Sequence, residues 1–440
     1  MSIIKYLKET LKYALRSYPF IKKYVKEIEG MYAMSPLELK KRKEQKFIDI
    51  FRKAYDKSSF YHQLYCDAGI KKEDIKSIDD IKKLPIITKE DVKQYADDMV
   101  VCPRWKLLKN HTSGTTGTPL MVYEDWPSIW REQAYLYCFR KRCGYTFGQP
   151  IVSLRGNLGK TDSYLKVHLS NTLYLSSYNI NEKTTALYHQ KIQAHNPVAI
   201  EGYPSSLFRL ASLFRDKGIE LNIPVTFTSS ETLLDNQRFL IEKQFHTQIY
   251  DHYGTTERTI SLNESLDHSG YYEDPGYSHN EYLENGEITT SLINNSFPLI
   301  RYQGNDIIEM CDYNDSGVLI KTIHGREEDY IVCKDGSHVM RLGFLFKKAS
   351  NVKAAQLIQQ ETGVVHILIV PETGYSEIDS TNIVNEFIKR VGRGNLDIHI
   401  LKTSMENLIY SKSGKFKFIL KSSNTIFDNN QTKEYKPIYP

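Results

Sequence analysis

The segment HTSGTTGTPL, residues 111–120, places two glycines, four threonines and a serine in ten positions. Consecutive small residues let backbone N–H groups converge on an anion, and Ser113, Thr115, Thr116 and Thr118 add hydroxyl donors. A P-loop would need Lys directly after the second Gly, where Thr118 stands, and it would open a helix. Here the strand-like LMVYE follows, so the spacing predicts a hairpin-like phosphate clamp. A flexible surface loop of turn formers is the other reading.

Other groups able to do chemistry lie further along. DHYGTTER (251–258) joins Tyr253 and Gly254 to Thr256 and Glu257, RYQGNDI (301–307) presents Asp306, and SKSGKFKF (411–418) places Lys415 after Ser-Gly. Each also has a plain structural reading. Glu257 can be a surface carboxylate beside Arg258, Tyr253 one core aromatic among 31 tyrosines, and Lys415 one member of a solvated run with Lys412, Lys417 and Lys421. Six cysteines are scattered with no C-x-x-C pair, which argues against a structural zinc site and a disulfide framework.

The elements that must position these groups follow from composition and periodicity. At 440 residues the chain exceeds one ordinary core and suggests a large and a small domain. Hydrophobic content of 40% and charged content of 25% are those of a globular protein. A net charge of +5 over 58 basic and 53 acidic residues is too mixed to argue for a nucleic-acid partner. The first twenty residues lack the pattern of a secretory signal, and nowhere do 18 apolar residues run together, so a reducing, cytoplasmic setting is the expectation.

Residues 3–28 place Ile4, Leu7, Leu11, Ala14 and Leu15 at helical spacing among lysines. An amphipathic helix docked on its own protein is favoured over a basic helix on a membrane surface. Helices are expected near 37–57 and 88–98, the latter started by Thr88 and Asp91. From about 106, strands (LLKN, LMVYE, IVSLRG, TLYLSS, PVAIEG, VTFTSS) alternate with helices near 126–143, 181–194, 204–217 and 235–245, which predicts a mostly parallel α/β sheet. Beyond 280 the texture turns to β in GEITTSL, PLIRY and GVLIKTI. The tail offers a helix near 350–361, a strand over 364–371, a helix near 380–391 and a strand over 396–402. The fold class is therefore α/β, with residues 1–324 as the large domain, a hinge at 325–329, and a small α+β domain over 330–440.

TSGTTGTP resembles the phosphate-binding signature of the adenylate-forming superfamily, the acyl-CoA synthetases and their relatives. DHYGTTER resembles that superfamily's Tyr-Gly-x-Thr-Glu motif, RYQGNDI its Arg-Tyr-x-x-Gly-Asp segment, GREEDYI (325–331) its Gly-Arg-x-Asp-Asp hinge, and SKSGKFKF its Ser-Gly-Lys. The five signatures stand in the family's order over residues 112–418. IEGYPSSLFRLA (200–211), GEITTSLINNSFPLIRY (286–302) and AAQLIQQETG (354–363) resemble, more narrowly, the short phenylacetate-CoA ligase branch, including relatives in capsular-polysaccharide loci.

The resemblance implies ATP-dependent conversion of a carboxylic acid to an acyl-adenylate with release of pyrophosphate, then transfer to coenzyme A. By that resemblance Thr112, Ser113, Gly114, Thr115, Thr116 and Gly117 would wrap the β- and γ-phosphates, Thr256 would bond the α-phosphate, and Glu257 would hold Mg²⁺. Tyr253 and Gly254, with Ser230 and Glu231, would bracket the adenine, Asp306 the ribose hydroxyls, and Arg326 the ribose or phosphate. Tyr203 and Pro204 would wall an acyl pocket, Glu328 would serve as hinge, and Lys415 would span the acyl carboxylate and phosphate as the small domain turns. Three departures stand out: Asn305 replaces the usual Gly before Asp306 while an extra Gly304 comes earlier, Glu328 replaces Asp, and Leu120 replaces a frequent Lys. Two rivals stay open: an amide-forming ligase that passes an acyl group or amino acid to an amino sugar, and an inactive scaffold at a membrane surface. Retention of Glu257, Asp306 and Lys415 favours an enzyme.

Overall fold

The computed structural model describes residues 3–111, 120–155, 158, 162–283, 286–304, 306–314, 317–326, 330–339, 342, 351–391, 393–410 and 416–421. The Gly-rich segment 112–119, Asn305, the positions 327–329 with Glu328, and 411–415 with Lys415 lie outside the described residues. The chain divides into two compact units, Met1–His324 and Gly325–Pro440.

In the first unit a ten-stranded sheet carries the architecture. Five strands run parallel in the spatial order Thr172–Ser176, Ile151–Arg155, Ala199–Gly202, Val225–Ser229 and Gln248–Gly254. The helices Glu182–His195, Pro204–Asp216 and Asp235–Phe245 alternate with them along the chain, as parallel pairing requires. Beyond Gln248–Gly254 the sheet becomes antiparallel through Ser261–Glu264, Tyr271–Glu273 and Gly317–Arg326, with Asp306–Asn314 at its edge. A separate antiparallel sheet joins Ser278–Leu283, Gly286–Ser291 and Tyr302–Gln303, so the expected strand PLIRY is reduced to its last residue.

Helix Trp126–Arg142 covers the parallel strands, packing Phe139 against Ile151, Ala199, Val225, Phe227 and Tyr250. Its start is fixed by Asp125, whose carboxylate accepts the Ser128 N–H at 2.8 Å. Thr88 begins Lys89–Tyr95 as its sequence suggested: the Thr88 hydroxyl accepts from Asp91 N–H at 3.2 Å and Thr88 N–H donates back to the Asp91 carboxylate at 2.7 Å. The sequence reading missed helix Ser59–Asp67. Ser58 ends Pro36–Lys57 and caps the next helix in the same step, by accepting from Tyr61 N–H at 3.2 Å.

The second unit corrects one expectation. Residues 352–359 form a strand, Val352–Gln359, where Ala, Gln and Leu had suggested a helix. It lies between Val364–Pro371 (antiparallel) and Ile419–Lys421 (parallel), with Asp397–Lys402 completing the sheet. Leu357 joins the core made by Ile383 and Phe387 of helix Glu377–Val391, while its neighbour Ile358 joins an opposite core with Leu368 and Leu408. A strand buried on both faces shows no polar alternation, which hid its period of two. Gln356 is buried because its amide spans the backbone: it donates to the carbonyls of Ile409 at 2.8 Å and Lys417 at 2.7 Å and accepts from Ile409 N–H at 2.9 Å.

Candidate active site

In doubly wound sheets, ligands bind beyond the carboxyl ends of the parallel strands, where the chain changes its direction of winding. That change falls between Ile151–Arg155 and Ala199–Gly202: the chain adds Thr172–Ser176 on one side, then returns to build outward on the other. Register pairs Gly202 with Thr228 and Ser229 with His252. Tyr203 and Pro204, and Ser230 and Glu231, therefore follow directly on the ends of their strands, beside Tyr253 and Gly254 at the end of theirs.

Local conformation at these strand ends is specialised. Ser230 holds φ 71°, a left-handed backbone that is rare outside glycine and asparagine and is maintained only where surroundings impose it. Next to it the Glu231 carboxylate accepts the Ser205 N–H at 3.1 Å. It thereby caps helix Pro204–Asp216, whose Tyr203 supplies no side-chain cap. Glu231 thus links two of the three segments.

Tyr253 reaches from the sheet to the mouth of Asp306–Asn314, where its hydroxyl donates to the Asp306 carboxylate. The Asp306 N–H donates to Glu287 Oε2 at 3.1 Å, and Gly304 N–H donates to the Glu287 carbonyl at 2.8 Å. Glu287 lies in Gly286–Ser291, a strand buried along its whole length. Burial first, then the Asp306 carboxylate, and further the Glu257 carboxylate push the Glu287 carboxyl up to about 9. A neutral carboxylic acid thus sits against Asp306 at pH 7. Burial and the same three acids raise the Tyr253 phenol well above its ordinary range, so it remains a donor. Gly304 explains one departure in RYQGNDI, since a Cβ there would stand 2.0 Å from Glu287 Oε1.

Thr256 and Glu257 are half-buried in the turn after Gly254, in which Arg258 N–H donates to the Thr255 carbonyl at 3.1 Å. Arg258, itself at φ 56°, turns inward and away from a pairing with Glu257. Its Nε donates to Glu124 Oε1 at 2.7 Å and its Nη1 to the Ser128 carbonyl at 3.1 Å, with Glu132 at 3.9 Å. Glu124 ends strand Met121–Glu124, which pairs antiparallel with Leu108–His111 so that His111 faces Met121. The strands expected on either side of the Gly-rich segment are therefore a hairpin, and Arg258 ties it to the turn holding Thr256 and Glu257. The predicted phosphate loop itself, Thr112 through Gly117, lies outside the described residues, as do Glu328 and Lys415. Arg326 ends strand Gly317–Arg326.

Tyr253, Asp306 and Glu257 thus share one locality, with Tyr203, Ser230 and Glu231 at the ends of the neighbouring parallel strands. The sequence reading missed Glu287 and Arg258. A lone carboxylate in the Ile- and Thr-rich GEITTS was the available signal for Glu287, and the extra Gly304 was its counterpart. For a divalent ion the local donors are carboxylate and hydroxyl oxygens, the set suited to a hard cation held by one carboxylate and phosphate oxygens. No cluster of three or more His, Cys, Asp or Glu able to cage a metal occurs among the described residues.

Comparison with known proteins agrees with this architecture. Residues 331–422 match the CapK C-terminal domain family. The chain is 25% identical over 391 residues to protein CapK of Staphylococcus aureus, covering 83% of this chain and 85% of that protein. It is 24% identical over 310 residues to the phenylacetate-coenzyme A ligase of Pseudomonas putida, covering 64% and 69%. Among solved structures, 2-hydroxyisobutyryl-CoA ligase in the postadenylation state, bound to an acyl-AMP, superposes with TM-score 0.69 at 15% identity, covering 89% of this chain and 91% of that one. At that identity the likeness is one of fold.

Proposed function

We propose that this chain, which is similar to CapK and to phenylacetate-CoA ligases, activates a carboxylic acid with ATP. The products would be an acyl-adenylate and pyrophosphate, and the acyl group would then pass to coenzyme A. The observation that carries this reading is the meeting of Tyr253, Asp306 and Glu257 at the carboxyl edge of the parallel strands.

Adenylation brings a carboxylate oxygen in line with the α-phosphorus while charge builds on phosphate oxygens, so positioning and electrostatic stabilisation carry most of the work. Asp306, oriented by the Tyr253 hydroxyl and by its own N–H on Glu287, would accept the two ribose hydroxyls. Tyr253 would flank the adenine with Ser230 and Glu231. Thr256 would bond the α-phosphate, and the hydroxyls and N–H groups of residues 112–117 would grip the departing pyrophosphate. Glu257 would hold Mg²⁺, which supplies positive charge to the phosphates when bound. Lys415 would neutralise the oxygens between which the new bond forms, with residues 325–329 as the hinge of its domain. Tyr203 and Pro204 would line the acyl pocket, and an aryl acid is the first candidate.

Carboxylate-dependent exchange of labelled pyrophosphate into ATP tests the reading. Lys415→Ala is expected to lower exchange at least about a hundredfold, and full activity in that variant would overturn the assignment. A second acceptor is favoured by one observation: the C-terminal unit matches the CapK domain. An amine, such as an amino sugar, would then replace coenzyme A. Offering both acceptors to the preformed adenylate distinguishes thioester from amide.

A further inference from the structure

Helix Ile3–Leu15 docks on the protein by an unexpected face. Tyr6 packs on Leu158, Leu165 and Val167, Thr10 has a buried hydroxyl, and Tyr13 is half-buried. At 100° per residue these three lie on one side of the helix. Leu7 and Leu11, one turn apart and rotated roughly 100° from that side, are 57% and 60% exposed. Two residues of the apolar stripe that the sequence suggested would be buried, Leu7 and Leu11, therefore face outward, while Ala14 and Leu15 are half-buried. Lys8 and Lys12, both exposed, border that stripe on the flank away from Tyr6.

The exposed apolar surface continues past the end of the helix. Tyr18 and Phe20 at the start of Tyr18–Tyr32 are 40% and 44% exposed. Phe20 stacks on Trp130 with ring centroids 5.6 Å apart, and Trp130 Nε1 donates to the Leu15 carbonyl at 2.8 Å. The outward face of Tyr18–Tyr32 carries Lys22, Lys23 and Lys26, all exposed. Two leucines and two aromatics interleaved with five lysines are what an interfacial helix presents to lipid: apolar groups enter the acyl boundary, aromatic rings sit at headgroup depth, and lysines meet anionic headgroups.

We propose that helix Ile3–Leu15, with the adjoining start of Tyr18–Tyr32, is a docking surface for an anionic lipid bilayer. Charge complementarity selects lipid over a second copy of the chain, since two such surfaces would bring five lysines of each against the other. The surface is joined to the candidate site through helix Trp126–Arg142: its Trp130 donates to the Leu15 carbonyl, and its Ser128 carbonyl accepts from Arg258. Docking would thus hold the adenylating edge near a membrane, where lipid-borne acids or acceptors reside. The proposal does not depend on the adenylation reading, since lipid binding and pyrophosphate exchange are measured separately.

The test is co-flotation of the full chain with phosphatidylcholine vesicles, with and without phosphatidylglycerol, at low and high salt. The intact chain is expected to float with the anionic vesicles and to be released by salt. Leu7→Glu with Leu11→Glu should weaken binding at least about tenfold, and Lys8→Glu with Lys12→Glu about tenfold. Both pairs should leave helical content and pyrophosphate exchange unchanged, because these side chains face solvent. Failure of the intact chain to float at low salt, or undiminished flotation of the Leu7→Glu, Leu11→Glu variant, would overturn the proposal. So would a dimer in sedimentation velocity that this variant dissolves, which would assign the surface to self-association.

Discussion

The large unit buries two sets of carboxylates on opposite terms. Around Arg258, one guanidinium serves Glu124 at 2.7 Å and Glu132 at 3.9 Å. Burial raises the Glu132 carboxyl, and Arg258 works against that rise. Around Asp306, the buried Glu287 faces two further acids and makes no ion pair among the described residues. It escapes the cost of a buried charge by keeping its proton. Paired charges of the first kind hold segments together, here the hairpin and the turn bearing Glu257. Like-charged groups of the second kind, gathered without a countercharge among the described residues, are candidates for ligand chemistry.

The contrast breaks most severely at Arg258. Arg258→Met strands Glu124 and Glu132 without their cation, and a loss of about 3–5 kcal/mol is expected in urea unfolding. A loss below about 1 kcal/mol would mean that the arginine is not the structural tie it resembles. Asp306→Asn should instead leave stability nearly intact or raise it, by relieving Glu287, while raising the KM for ATP at least about tenfold. An unchanged KM would remove Asp306 from the nucleotide site.

Protonation sharpens the difference. Glu287 titrates near 4.5 when unfolded and at about 9 when folded, so the folded state binds the extra proton between those values. Its contribution to stability is full below the unfolded value and is lost as pH rises through the window, by up to about 1.4 kcal/mol per pH unit. Glu287→Gln should flatten the stability profile between pH 5 and 9, and Arg258→Lys should not. Identical slopes in wild type and Glu287→Gln would return Glu287 to ordinary ionisation. The mildest perturbation is Gly304→Ala, whose methyl must displace the Glu287 carboxylate. About 1–3 kcal/mol of destabilisation is expected, with weakened ATP binding.

Much of this was legible in the chain. The alternation of short apolar strands with helices of matching length predicted the parallel sheet, because burial on both faces demands continuous apolar runs. The Thr88 and Asp91 pair marked a helix start through a purely local exchange of hydrogen bonds. Tyr253, Glu257 and Asp306 were singled out because DHYGTTER and RYQGNDI resemble the motifs of the adenylate-forming superfamily.

What the chain could not reveal depended on distant partners. Val352–Gln359 is a strand because Val364–Pro371 and Ile419–Lys421 flank it and two cores cover it, outweighing the helical preference of its Ala, Gln and Leu residues. Arg258 belongs to Glu124, 134 residues away, and not to its neighbour Glu257. The outward stripe of Leu7 and Leu11 follows from Tyr6 finding Leu165 and Val167. Sequence by itself determined which groups were present and which local turns would hold them, since caps, periods and glycine loops act over a few residues. Tertiary structure decided which carboxylate keeps its proton, which is paired and which helix face meets solvent, because desolvation and charge are set by whatever the fold brings within a few ångströms.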